Sequence, residues 1–123
     1  MPSNSILPEP VKNKYSQEII FIRNCAKSNQ IKISDHCNRK ISKRKIRLSD
    51  VYESIRNGVV MEVQDFERDV KVLFQDCANK PPNFFVAVAI KSTFGLCVTV
   101  YLPDPEKWVL ESSDQWRRKK VNV

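Results

Sequence analysis

Residues 48–64 read LSDVYESIRNGVVMEVQ, and the hydrophobic period changes inside them at Gly58. Before the glycine, Val51, Tyr52 and Ile55 recur at helical spacing behind Leu48-Ser49-Asp50, whose polar side chains suit a helix start. Asn57-Gly58 ends that helix, with glycine free to take positive φ. Beyond it Val59, Met61 and Val63 alternate with Val60, Glu62 and Gln64, the period-two pattern of a strand. The chain therefore passes from helix to sheet at one point, and the rest sorts around it.

C-terminal to this junction the period stays at two. Residues 65–69 suit a hairpin turn, and Val70, Val72 and Phe74 then alternate with Lys71, Leu73 and Gln75. Residues 77–83 contain Pro81-Pro82 and read as a loop. Phe84 to Ile90 is continuously apolar, as a central strand covered on both faces would be. After a turn at residues 92–95, Leu96, Val98, Val100 and Leu102 alternate with Cys97, Thr99 and Tyr101. Pro103-Asp104-Pro105 breaks this strand, with Asp104 placed to cap a short helix carrying Trp108. Four strands with short connections predict an antiparallel meander.

N-terminal to the junction the period is helical. Tyr15, Ile19, Ile22 and Ala26 predict a helix over 15–27 with Ser16 as its cap. Ser34 or Asp35 suits the start of another, in which Ile33, Cys37 and Ile41 form the buried stripe. Helices first and strands second make the chain α+β, with N-terminal helices packed on one face of a four-stranded antiparallel sheet. Residues 1–13 carry three prolines and read as a flexible arm, residues 14–110 as the single domain, and residues 111–123 as a basic tail.

The 123 residues are 41% hydrophobic and 28% charged, which fits one folded domain. The net charge of +7 favours acidic partners: RNA, DNA, an anionic membrane or an acidic protein. Residues 32–47 hold seven basic side chains and one acid, so this stretch nearly accounts for the excess. A second cluster, Arg117-Arg118-Lys119-Lys120, reads as a solvated face. No apolar run approaches a membrane span or a secretory signal, and no membrane partner is expected. Cys25, Cys37, Cys77 and Cys97 form no C-x-x-C pair, and one histidine cannot complete a zinc pattern. We read a cytoplasmic protein with reduced thiols. With two glycines and no phosphate-binding loop, no cofactor is expected.

The sole histidine, His36, opens the basic stretch. On a helix His36, Lys40, Lys43 and Arg44 stack beside the buried stripe, at the edge of the core. Imidazole moves protons near neutral pH, and lysine and arginine hold phosphate. Metal-free RNA cleavage needs those groups: a base for the 2′-hydroxyl, an acid for the leaving oxygen and cations on the phosphate. One histidine leaves a second proton role to Tyr101, a lysine, an acid or water. Thr99 and Tyr101 share one side of the last strand. They lie on an open sheet face if the Val98 face meets the helices, and near the helical layer if not. Glu62, Asp65, Glu67 and Asp69 read as solvated acids rather than a metal cluster. A capping or packing histidine and strand-favoured threonine and tyrosine are the plain alternatives.

Residues from about Ile33 to Trp108 resemble a large family of small bacterial domains of unknown function. The resemblance rests, in order, on His36, Lys40, Arg44, Ile46, Asp50-Val51, Asn57-Gly58, Thr99-Val100-Tyr101 and Pro103-Asp104. The family carries arginine where this chain has Lys40. It is similar to the RelE-like toxins, within the barnase-like, EndoU-like and colicin-like ribonuclease folds. The resemblance implies a helical layer followed by a four-stranded antiparallel sheet and metal-independent RNA cleavage. It also implies a toxin held in check by an antitoxin, with His36, Lys40, Arg44, Thr99 and Tyr101 as the site.

The expectation is thus an endoribonuclease of toxin type, with His36 in proton transfer, Lys40, Lys43 and Arg44 on phosphate, and Thr99 and Tyr101 positioning substrate. The competing reading is a non-catalytic basic module that binds nucleic acid or an acidic partner protein. A third has the terminal extensions build a homo-oligomer or an immunity-like complex.

Overall fold

A computed structural model describes residues 5–65, 68–76 and 83–102 in full, and the backbone of 108–112 and 115–118. Helix α1 (Glu9–Lys14) leads into α2 (Ser16–Lys27). Strand β1 (Ile31–Ile33) precedes α3 (Asp35–Lys43) and α4 (Leu48–Asn57). Then come β2 (Val59–Gln64), β3 (Lys71–Gln75), β4 (Phe85–Ile90) and β5 (Gly95–Tyr101). A separate hairpin joins β6 (Trp108–Ser112) to β7 (Gln115–Arg118).

The main sheet has the order β1-β5-β4-β3-β2. The meander β2-β3-β4-β5 is antiparallel, as the alternation predicts. The sheet is nevertheless five-stranded and mixed, because β1 adds to β5 in parallel, Ile31 to Ile33 against Gly95 to Cys97. Three residues are too few to show a period. Ile33, expected in the helical stripe of α3, is instead the last residue of β1, while Cys37 and Ile41 are buried as expected.

Ile22, Cys25, Ala26, Val51 and Ile55 from α2 and α4 pack on Val60, Val72, Phe74, Val86, Val88, Cys97 and Val100 from the sheet. A second apolar group, Val59, Met61, Leu73, Phe85 and Ala87, lies on the other sheet face and is also buried. β4 is an inner strand buried on both faces, as is its neighbour β3.

Three local expectations change. Tyr15, not Ser16, is the cap residue of α2, and Ser16 is already helical. Residues 5–13, read as part of the arm, hold all of α1 but its last residue, Lys14, and a bridge from Ser5 to Val60, although α1 buries none of its residues. Trp108 lies in β6, not in a helix, and part of the expected basic tail is the strand β7. Asp104, Cys77 and Pro81-Pro82 fall outside the described residues, as do two residues of the β2–β3 turn.

Gly58 takes φ −72°, so its role is space rather than left-handed backbone. A Cβ there would run into the main-chain oxygens of Ser54 and Gln75. Beside it the Arg23 guanidinium donates to the carbonyls of Ile55 (3.2 Å), Arg56 (2.8 Å) and Gly58 (2.9 Å). These are the unpaired carbonyls that end α4, and Arg23 satisfies them from α2. Burial lowers its pKa from the ordinary arginine value, and the Phe74 ring lies 5.3 Å from its guanidinium carbon.

Candidate active site

Helix α3 takes over the edge of β5 where β1 stops. β1 covers β5 only as far as Cys97, which leaves the outward carbonyls beyond it without a strand partner. Side chains of α3 and its caps supply the donors. Ser34 Oγ donates to the Val98 carbonyl at 3.1 Å, and Arg44 Nη1 donates to the Val100 carbonyl at 3.1 Å. Between them Lys40 Nζ donates to Thr99 Oγ1 at 3.0 Å. Ser34 also caps α3, accepting from the Cys37 amide at 3.1 Å, which decides between Ser34 and Asp35. The i, i+4, i+8 spacing of residues 36, 40 and 44 thus runs along one strand edge.

Two β-bulges decide which side chains meet α3. In β2 the pairing jumps from Val60–Phe74 to Glu62–Leu73, so Met61 is the extra residue. In β5 it jumps from Cys97–Val88 to Thr99–Ala87, so Val98 is extra. Each bulge reverses the inward and outward sense of all that follows it. Glu62 and Gln64 therefore share the Leu73 face instead of the Val60 face. Thr99 and Tyr101 share the Ala87 and Phe85 face instead of the Cys97 face.

The result is a cleft of about 830 Å³ lined by His36 and Lys40 from α3, Glu62 and Gln64 from β2, Lys71 from β3, and Thr99 and Tyr101 from β5. Val63, Ala87 and Val98 complete its wall. Thr99 and Tyr101 lie on the sheet face turned away from α2 and α4. His36 lines the same cleft because α3 sits at the sheet edge. His36 is exposed, Lys40 and Tyr101 are half-buried, and Thr99 is buried. The Lys40 ammonium lies 5.5 Å from the centre of the Tyr101 ring, within cation–π range. Thr99 thus holds Lys40. Gln64 Nε2 donates to Glu62 Oε2 at 2.8 Å and orients that carboxylate.

The other two basic residues of the expected site point elsewhere. Lys43 lines a shallow surface with Asp35, Asn38, Arg39 and Ser42. Arg44 borders a different hollow of about 450 Å³, together with Lys45, Arg47, Asp50, Glu53 and Asp76. That hollow has mixed charge, and Arg47 is already paired with Asp50 at 3.1 Å. Its lining includes carboxylates and cations but no histidine, so the larger cleft is the better candidate.

Glu62, Gln64 and Lys71 are cleft residues that strict alternation does not reveal. A signal exists: Val59-Val60-Met61 are three apolar residues in succession before Glu62, as a bulge between two buried faces requires. Among the described residues no three His, Cys, Asp or Glu side chains form a metal-ligating group. No described helix is long and apolar enough to cross a membrane. No family model, no curated protein and no solved structure matches the chain.

Proposed function

We propose that this protein is an endoribonuclease that cuts RNA by side-chain acid–base chemistry, independently of metal, as a toxin restrained by an antitoxin. The observation that carries this reading is the convergence of His36 and Lys40 with Glu62, Thr99 and Tyr101 on one cleft, from three elements distant in sequence. Glu62 fills the second proton role that a single histidine leaves vacant. The Glu62 carboxylate takes the proton of the 2′-hydroxyl as its oxygen attacks phosphorus. The His36 imidazolium delivers a proton to the departing 5′-oxygen. Lys40, held by Thr99 and flanked by the Tyr101 ring, meets the charge that develops on the phosphate. The products are a 2′,3′-cyclic phosphate and a 5′-hydroxyl.

The test is cleavage of a labelled RNA by the purified protein. Wild type should yield 2′,3′-cyclic ends. His36→Ala and Glu62→Gln should each lose about 100-fold or more in rate, the usual worth of a positioned acid or base, with RNA affinity retained. Expression of wild type, but not His36→Ala, should arrest growth of a bacterial host. Wild type that binds RNA without cutting it, and loses binding when Lys40 and Lys71 are neutralised, would establish the non-catalytic basic module instead.

A further inference from the structure

Cys37 and Cys97 lie 60 residues apart, yet their sulfurs are 3.2 Å from each other and both residues are fully buried. One serine fixes this approach from both sides. The Ser34 amide donates to the Cys97 carbonyl at 3.0 Å, and Ser34 Oγ accepts from the Cys37 amide at 3.1 Å. The backbones on either side of the sulfur pair are therefore tied by hydrogen bonds. The pair also sits under the seam that builds the cleft. Cys37 follows His36 and precedes Lys40 by three residues, and Cys97 precedes Thr99 by two. Neither thiol has a part in the acid–base chemistry above.

We propose that Cys37 and Cys97 are a redox-sensitive pair that a hydroperoxide converts to an intramolecular disulfide, tying α3 covalently to β5. The sulfurs need to close by about 1 Å from their present separation to reach a disulfide bond length of ~2.05 Å. Cys37 is the sulfur that attacks first. Its thiol is lowered from the ordinary value first by the hydrogen bond it shares with Cys97, in which either sulfur can be the donor, with burial opposing and the Lys40 charge adding to the effect. Cys97 is correspondingly raised by the shared hydrogen bond and by burial. Cys25 is also buried, its thiol raised by desolvation, and has no sulfur partner among the described residues.

The chemistry balances without further reactants. The Cys37 thiolate attacks one oxygen of hydrogen peroxide, the O–O bond breaks, and the other oxygen leaves as water after taking a proton. Cys97 sulfur then attacks the Cys37 sulfenic acid, the S–O bond breaks, and a second water leaves. Two thiols lose two electrons, and one peroxide becomes two waters. Both sulfurs are fully buried, so the reaction requires a local opening of α3 from β5 to admit peroxide.

The experiment exposes the full chain to hydrogen peroxide, then counts thiols under denaturing conditions, weighs the intact protein and maps its peptides. Wild type should lose two of its four thiols and the mass of two hydrogens, join the Cys37 and Cys97 peptides, and recover with dithiothreitol. Cys37→Ser and Cys97→Ser should each fail to form the bond. Wild type that keeps four thiols, or joins Cys25 or Cys77 instead, overturns the proposal. The wild-type map decides this even if a serine variant does not fold. The readout does not depend on RNA cleavage, so it stands or falls apart from the ribonuclease reading.

Discussion

Replacing Gly58 by alanine sets two physical effects against each other. Gly58 lies at φ −72° and ψ 179°, a conformation that alanine adopts without strain. Backbone reasoning alone therefore makes Gly58→Ala stabilising, by about 0.4–1 kcal/mol through lower entropy of the unfolded chain. The packing says the reverse. The new Cβ would meet the carbonyl oxygens of Ser54 and Gln75, both rigid main-chain atoms, one at the end of α4 and one in β3. Overpacking of this kind costs about 1–3 kcal/mol, and the upper end applies when no side chain can swing aside. Relief by moving Gly58 would disturb its 2.8 Å bond to the Ser54 carbonyl and the 2.9 Å bond it accepts from Arg23. The balance is a net loss of about 2 kcal/mol, or roughly 8 °C in Tm for a domain of this size. Urea unfolding followed by far-ultraviolet circular dichroism measures it. An unchanged or raised midpoint would refute the packing argument and leave the dihedral argument standing.

Thr99→Val should free the Lys40 ammonium from its acceptor and weaken RNA cleavage through kcat more than KM, because Lys40 acts on charge that develops in the transition state, whereas Thr99→Ser should keep both; equal loss in the two variants would point to packing instead. The stability change from losing this half-buried charged hydrogen bond should be about 1 kcal/mol, read from the same urea curves. Arg23→Leu should destabilise by about 2 kcal/mol, because the carbonyls of Ile55, Arg56 and Gly58 lose a shared half-buried donor; a loss under half of that would show that water replaces it. Asp69 is held below its ordinary value of 3.8, first by the 2.6 Å bond from Lys91. A depressed carboxylate contributes stability above its unfolded pKa and loses it as pH falls through the folded one. Lys91→Met should therefore narrow its stability gap to wild type as pH falls from 5 to below 3.8, and a constant gap would rule out the ion pair as the cause.

The junction at Gly58 was readable because helix and strand periods differ and a glycine separated them. The α3 start at Ser34 or Asp35, the inner position of β4 and the antiparallel meander followed from local pattern in the same way. β1 did not, because three residues carry no period and a parallel partner 64 residues away leaves no local mark. Trp108 was misassigned because Asp104-Pro105 is a local helix-start signal, whereas the β6–β7 pairing is a property of the folded chain.

For the site, the sequence by itself determined that His36, Lys40 and Arg44 lie along one face of one helix, since 3.6-residue geometry fixes that spacing. It also determined that Thr99 and Tyr101 share a face, since period two does the same for a strand. Only the tertiary structure decided that these two sets meet. α3 had to replace the missing edge partner of β5, which is a matter of unsatisfied carbonyls at Val98 and Val100. Only it decided that Glu62 joins them and that Lys43 does not. One extra residue in β2 reverses the face of everything after it, and strand pairing rather than composition determines where that residue falls.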